Sequence, residues 1–293
     1  MKFEHRIERT PYEGCFSTYE EAQIVIIGAG YDGTVSYRPG SRFGPLAMRT
    51  ETLYSQEDYS PYFRRDLKEI AIHDAGDIDI PFGSKDRVLS LIHQAVSEIV
   101  EDGKKPCMLG GEHLVTLPAV QAVLKRYPDL HIVQLDAHLD MIDELFGSRL
   151  SHGTVMRRCT ELLESPANLW QVGIRSGGQA EFAYAEAHTR LFPFHARDFL
   201  AAMEDLKDKP VYLTLDLDVF DPSLIPGTGT PEAGGIFFPE YIDILKALST
   251  CNLVGCDVVE LAPQLDPGGA STAISAKILR ELLMIVDGHF RRS

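Results

Sequence analysis

The chain has 293 residues, 44% of them hydrophobic, which is ample for a sizeable core in one large α/β domain or two small ones. Its 28 basic residues face 43 acidic ones, a balance that argues against nonspecific attraction to nucleic acid or to an anionic membrane surface. The start MKFEHRIERT is charged where a signal peptide needs an apolar core, no apolar run is long enough to span a bilayer, and the five cysteines read as reduced thiols. A cytoplasmic protein is expected. The first clear element is the strand opening IVIIGAGYDG, in which Gly28, Gly30 and Gly33 spell GxGxxG. That fingerprint binds a dinucleotide only if the glycines turn the strand directly into a helix. The following TVSYRPGSRFGP, with two Pro-Gly or Gly-Pro pairs, reads instead as a long turn-rich loop.

Further along, EIAIHDAG reads as a strand and residues 84–100 as a helix, with Val88, Leu89, Ile92, Ala95, Val96 and Ile99 on its core face. KPCMLGG then precedes a helix over 114–127, and HIVQLDAH one over 153–163. NLWQVGI, RLFPFHA, VYLTLDLD and LVGCDVVEL continue the alternation before a last helix at about 270–287, which reads as packing against the sheet. This alternation predicts a single three-layer α/β/α domain over 1–293 with a mainly parallel sheet covered on both faces. No linker, repeat or low-complexity tract divides it.

Four of these strands end in polar residues that a structural role does not explain, at the carboxyl ends where open parallel sheets bind ligands. They are Glu112-His113, Asp136-Ala137-His138-Leu139-Asp140, Asp216-Leu217-Asp218 and Glu260. In extended backbone Asp136, His138 and Asp140 share a face, as do Asp216 and Asp218. Converging carboxylates repel unless protonated or neutralised by metal, and no Lys or Arg adjoins either motif. One divalent ion among four aspartates leaves a charge of about −2, whereas two balance it, with His113 and His138 completing the donors. Imidazole and carboxylate without thiolate suit manganese, with zinc, iron, nickel and cobalt as alternatives.

GGEH, DAHLD and DLDVFDP in this order resemble the ureohydrolases, the arginase and agmatinase family of binuclear manganese enzymes, and the likeness runs from GAGYDGTVSYRPGSRFGP to VVELAP. Two departures from the usual pattern, Gly30 in GAGYD and Leu114 after the histidine, remove no ligand. The resemblance implies that His113, Asp136, Asp140 and Asp216 hold one ion, and Asp136, His138, Asp216 and Asp218 the other. It further implies a hydroxide bridging the two ions as nucleophile, Glu260 pairing with the guanidinium, Asp140 accepting a proton, and His152 as the proton shuttle. A homotrimer or homohexamer would follow the family.

For the substrate, Asp143 and Glu144 in the loop MIDELFGSRLSH suit a distal ammonium, and SYRPGSRFGP with SRLSHGTVMRR is most like the bacterial agmatinase branch. Agmatine, cleaved to putrescine and urea, is therefore expected, with Arg149 as the residue that would favour a carboxylate substrate. The competing readings are another ureohydrolase (arginase, guanidinobutyrase or formiminoglutamase), a noncatalytic metal-binding relative, and a dinucleotide oxidoreductase.

Overall fold

The computed structural model describes residues 1–290, so the last three positions of the expected 1–293 domain lie outside the described residues. Strands β1 (Arg6–Ile7), β2 (Ile24–Ala29), β5 (Ile72–Ile78), β6 (Lys105–Gly110), β7 (His131–Leu135), β8 (Leu169–Val172), β9 (Arg190–Phe192), β10 (Pro210–Asp216) and β11 (Asn252–Val259) form one sheet; β3 (Tyr59–Ser60) and β4 (Arg65–Asp66) make a separate short ribbon. The sheet order is β1-β5-β2-β6-β11-β10-β7-β8-β9, and every neighbouring pair is parallel except β1 with β5.

Both faces are covered, which is why the strands read as continuous apolar runs. In β2, Ile24 and Ile26 point into one core and Val25 and Ile27 into the other, all four fully buried. One core is closed by α1 (Gly44–Ser55), α6 (Arg197–Ala201), α7 (Phe238–Leu248) and α8 (Ala270–Val286). The other is closed by α2 (Lys85–Glu101), α3 (Thr116–Leu124), α4 (Val155–Thr160) and α5 (Gln179–His188). Helix α2 starts where Ser84 accepts a hydrogen bond from the Arg87 N–H at 3.3 Å, a side-chain N-cap. Leu91 is buried on its core face, whereas the expected Leu89 is only partly buried, one step round the helix.

One expectation needs correction. The turn-rich loop expected over 34–45 ends early: a 3₁₀ turn at Ser41–Phe43 leads into α1, because Pro45 sits in the first helical turn, where its missing N–H costs nothing. The four site-bearing strands are grouped in the sheet. β6, β11, β10 and β7 are consecutive neighbours, so their carboxyl ends lie side by side.

The glycines at the end of β2 and just beyond it serve packing. A Cβ on Gly28 would lie 1.8 Å from Asp77 Oδ1, which belongs to a buried ion pair with Arg49, and one on Gly30 would lie 2.5 Å from the Arg42 carbonyl. No helix follows them directly, which removes the geometry a pyrophosphate needs.

Candidate active site

The polar residues meet by turning out of their strands rather than by staying extended. β7 ends at Leu135, and Asp140 has φ +54°, so Asp136, His138 and Asp140 converge on a loop instead of one strand face. Asp218 likewise lies in a 3₁₀ turn over Leu217–Val219 that Asp216 caps: Asp218 N donates to Asp216 Oδ1 at 2.8 Å.

Five of the six expected metal donors fall in two groups that share Asp136, and Asp216 lies beside the first of them. His113 Nδ1 lies 3.1 Å from Asp136 Oδ2, 3.1 Å from Asp140 Oδ2 and 3.4 Å from Asp216 Oδ2. His138 Nδ1 lies 2.9 Å from Asp218 Oδ2 and 3.7 Å from Asp136 Oδ1. His113, Asp136 and Asp140 can offer ligand atoms to one ion, and Asp136, His138 and Asp218 to another.

The donors fit cations. His113 Nδ1 is buried and makes no hydrogen bond although three carboxylates surround it, as expected of a lone pair aimed at a metal. The electrostatics agree. Burial and the neighbouring Asp136 charge push Asp140 up to about 6, and burial with Asp218 and Asp136 raises Asp216 well above the usual carboxylate range. Burial opposes charge on His138, yet Asp218 and Asp136 outweigh it and push the imidazole up to about 12. Without metal the cluster retains protons that two divalent ions would replace.

Buried amides hold the loop in place. Gln134 Nε2 donates to Asp136 Oδ2 at 2.8 Å and to the His138 carbonyl at 3.0 Å, while Gln171 Nε2 donates to Gln134 Oε1 at 2.8 Å and to the Leu139 carbonyl at 3.0 Å. Thr189 closes the chain on Gln171 Oε1. Each strand-borne amide thereby fixes a carbonyl of the DAHLD turn.

Above the donors lies a cavity of about 210 Å³. Glu260 reaches its wall with φ +69° and accepts a hydrogen bond from His113 N at 2.7 Å; burial and the nearby Glu112 raise its pKa. His152 also lines the cavity, and burial lowers its pKa, leaving a neutral ring at pH 7. Asp143, Glu144 and Arg149 do not line it. Asp143 pairs with the buried Arg158, and Arg149 lies 3.1 Å from Glu161 and 3.4 Å from Asp143, an ion-pair cluster outside the cavity in which Asp143, Arg149 and Glu161 are exposed. The same loop instead contributes Ile142 and Leu145, and the cavity's additional acid is Glu181. Glu181 was hidden in the sequence because it reads as an ordinary first-turn helix acid, and it does cap α5 through Gly178 N at 2.7 Å.

A family model described as the arginase family matches residues 22–285. The chain is 43% identical over 288 residues to an agmatinase of Bacillus anthracis, covering 97% of this chain and 99% of that protein. It is 31% identical over 300 residues to a guanidinobutyrase of Pseudomonas aeruginosa, covering 97% and 92%. Among solved structures, the agmatine ureohydrolase of Thermoplasma volcanium superposes with a TM-score of 0.86 at 28% identity, covering 98% of this chain and 97% of that one. Among the described residues no helix is long and apolar enough to cross a membrane.

Proposed function

Because the chain belongs to the arginase family, we propose that it hydrolyses the guanidino group of agmatine to putrescine and urea, using two manganese ions per subunit. The observation that carries this reading is the unpartnered His113 Nδ1 among Asp136, Asp140 and Asp216, beside a second donor group on the same Asp136. His113, Asp136, Asp140 and Asp216 would hold one ion, and Asp136, His138, Asp216 and Asp218 the other. Two divalent ions held by these residues would supply Lewis-acid charge that makes a water molecule nucleophilic near neutral pH, which a poor electrophile such as guanidinium requires.

The protein's own groups do the rest. Glu260, at the cavity wall, pairs with the guanidinium and sets its carbon over the donor groups. Asp140 accepts the proton released as the C–O bond forms. His152, neutral at pH 7 and at the cavity wall, carries a proton between solvent and the leaving amine. At the far end, Ile142 and Leu145 flank the alkyl chain and Glu181 faces the ammonium; no Lys or Arg lines the cavity to attract a carboxylate. That lining supports agmatine over arginine or guanidinobutyrate.

The whole of 1–293 acts as one ureohydrolase domain in this reading, in a cytoplasmic homotrimer or homohexamer whose size analytical ultracentrifugation measures. The deciding experiment is urea release from agmatine, arginine and guanidinobutyrate at equal manganese loading. Agmatine should have the highest kcat/KM, and preference for a carboxylate substrate would overturn the substrate while leaving the metal chemistry standing.

A further inference from the structure

The loop after β2 reaches His152 twice. Thr34 Oγ1 accepts the His152 backbone N–H at 3.1 Å, and Ser36 Oγ sits 3.1 Å from His152 Nε2 on the ring. Thr34 is itself locked, because its N–H and its hydroxyl donate to the two oxygens of Glu112 at 2.8 and 2.6 Å. Glu112 is fully buried, two residues past the end of β6. The other ring nitrogen, Nδ1, is buried without a partner. Nothing else among the described residues hydrogen-bonds the ring, so Ser36 alone selects its orientation. Ser36 and His152 line the same cavity.

We propose that Thr34 and Ser36 are positioning residues for the reaction, with Thr34 fixing the backbone of His152 and Ser36 its imidazole, and with Glu112 as their anchor. This rests on the proposed role of His152. A single hydroxyl holding a ring matters because a neutral imidazole has one N–H and one lone pair, and proton transfer needs the right nitrogen facing the reacting atoms. The loop that begins with the glycine motif therefore has a task of its own, to carry two hydroxyls across the mouth of the site.

The test is a double-mutant cycle on the manganese-loaded enzyme, joined to a ring measurement on the metal-free protein. Ser36→Ala should lower kcat roughly three- to tenfold with KM within about twofold, as loss of one hydrogen bond predicts, and Ser36→Thr should restore kcat. In a His152→Ala background the Ser36→Ala change should cost nothing further. Thr34→Val should lower kcat in the same way and Thr34→Ser should recover it. In metal-free protein labelled at histidine, the ¹⁵N shifts of the His152 ring should move in Ser36→Ala and return in Ser36→Thr. An unmoved ring signal, an equal Ser36→Ala cost in both backgrounds, or a raised KM with unchanged kcat would overturn the positioning role. If His152→Ala itself keeps full turnover while the ring signal still moves, the shuttle reading fails instead, and the positioning claim falls with it.

Discussion

His113 turns its Nε2 to Thr214 Oγ1 at 2.9 Å, which leaves Nδ1 facing the aspartates. Thr214 donates onward to Asp257 Oδ1 at 2.6 Å, and Tyr212 OH donates to Asp257 Oδ2 at 2.8 Å. A hydroxyl that gives its proton to Asp257 can only accept from His113, so Nε2 keeps its proton and Nδ1 is the nitrogen left to give its own up to a metal. Thr214→Val keeps the shape and removes that acceptor. Manganese affinity should fall about 10- to 100-fold with all six ligands intact, measured by titration calorimetry. Unchanged affinity would show that the tautomer is set elsewhere.

Metal stoichiometry separates ligands from proton carriers. The protein should bind two equivalents of manganese. Asp216→Ala should lose the paired site together with activity, while His152→Ala should retain both ions and lose rate. Full activity at one saturable equivalent would sink the binuclear reading, and metal loss in His152→Ala would sink the shuttle.

Much of this site was readable before folding because a carboxylate or imidazole directly after a buried apolar strand has few structural reasons to be there. His113, Asp136, His138, Asp140, Asp216, Asp218 and Glu260 all stand out that way. Their adjacency was not readable: it depends on β10 and β11 inserting between β6 and β7, a crossover that local pattern does not encode. Helix α1 was hidden by Gly44 and Pro45, which read as a turn but open a helix. Gln134 and Gln171 pass for solvated strand residues until the sheet pairs them. The acids of 143–144 looked like substrate ligands because sequence does not reveal that Arg158, fifteen residues on from Asp143, neutralises it.

The metal-free protein should lose stability as pH rises from 7 to 9. Burial disfavours charge on His113 and His138, but the surrounding aspartates win and raise both pKa values, His138 to about 12. The unfolded chain has released these protons above its ordinary histidine pKa of about 6.5, whereas the folded state still holds them. A group raised on folding stabilises below the unfolded pKa, and that contribution drains away as pH climbs toward the folded one. The slope is at most about 1.4 kcal/mol per pH unit for each proton held. Manganese displaces the same protons, so its stabilising effect should grow over this interval. Thermal melts with and without manganese at pH 7, 8 and 9 test it; a metal-free melting temperature that rises with pH would contradict the retained protons.

Glu260→Gln should keep both metals and lose at least one order of magnitude in kcat/KM on agmatine. A charge-assisted hydrogen bond contributes about 1.5 to 3 kcal/mol, which sets the expected loss. Equal efficiency in the variant would mean that another carboxylate holds the guanidinium.

In the proposed reading, substrate choice falls to Glu181 in the cavity wall rather than to the acids of the 141–152 loop. Glu181 accepts from Gly178 N at 2.7 Å and Met141 N at 3.2 Å, so two backbone donors hold its carboxylate in place at the cavity wall. Asp143 and Arg149 instead pair with the buried Arg158 and with Glu161, outside the cavity. Glu181→Gln should therefore raise KM for agmatine about tenfold or more with kcat little changed, because the lost interaction is made equally in the ground and transition states. Guanidinobutyrate, whose carboxylate the Glu181 charge repels, should improve relative to agmatine in the same variant. Asp143→Asn and Arg149→Ala should each stay within about twofold on both substrates, since neither residue lines the cavity. Steady-state kinetics on the three variants with the two substrates checks all of this at once. A large effect of Asp143→Asn with none from Glu181→Gln would return the ammonium to the surface loop.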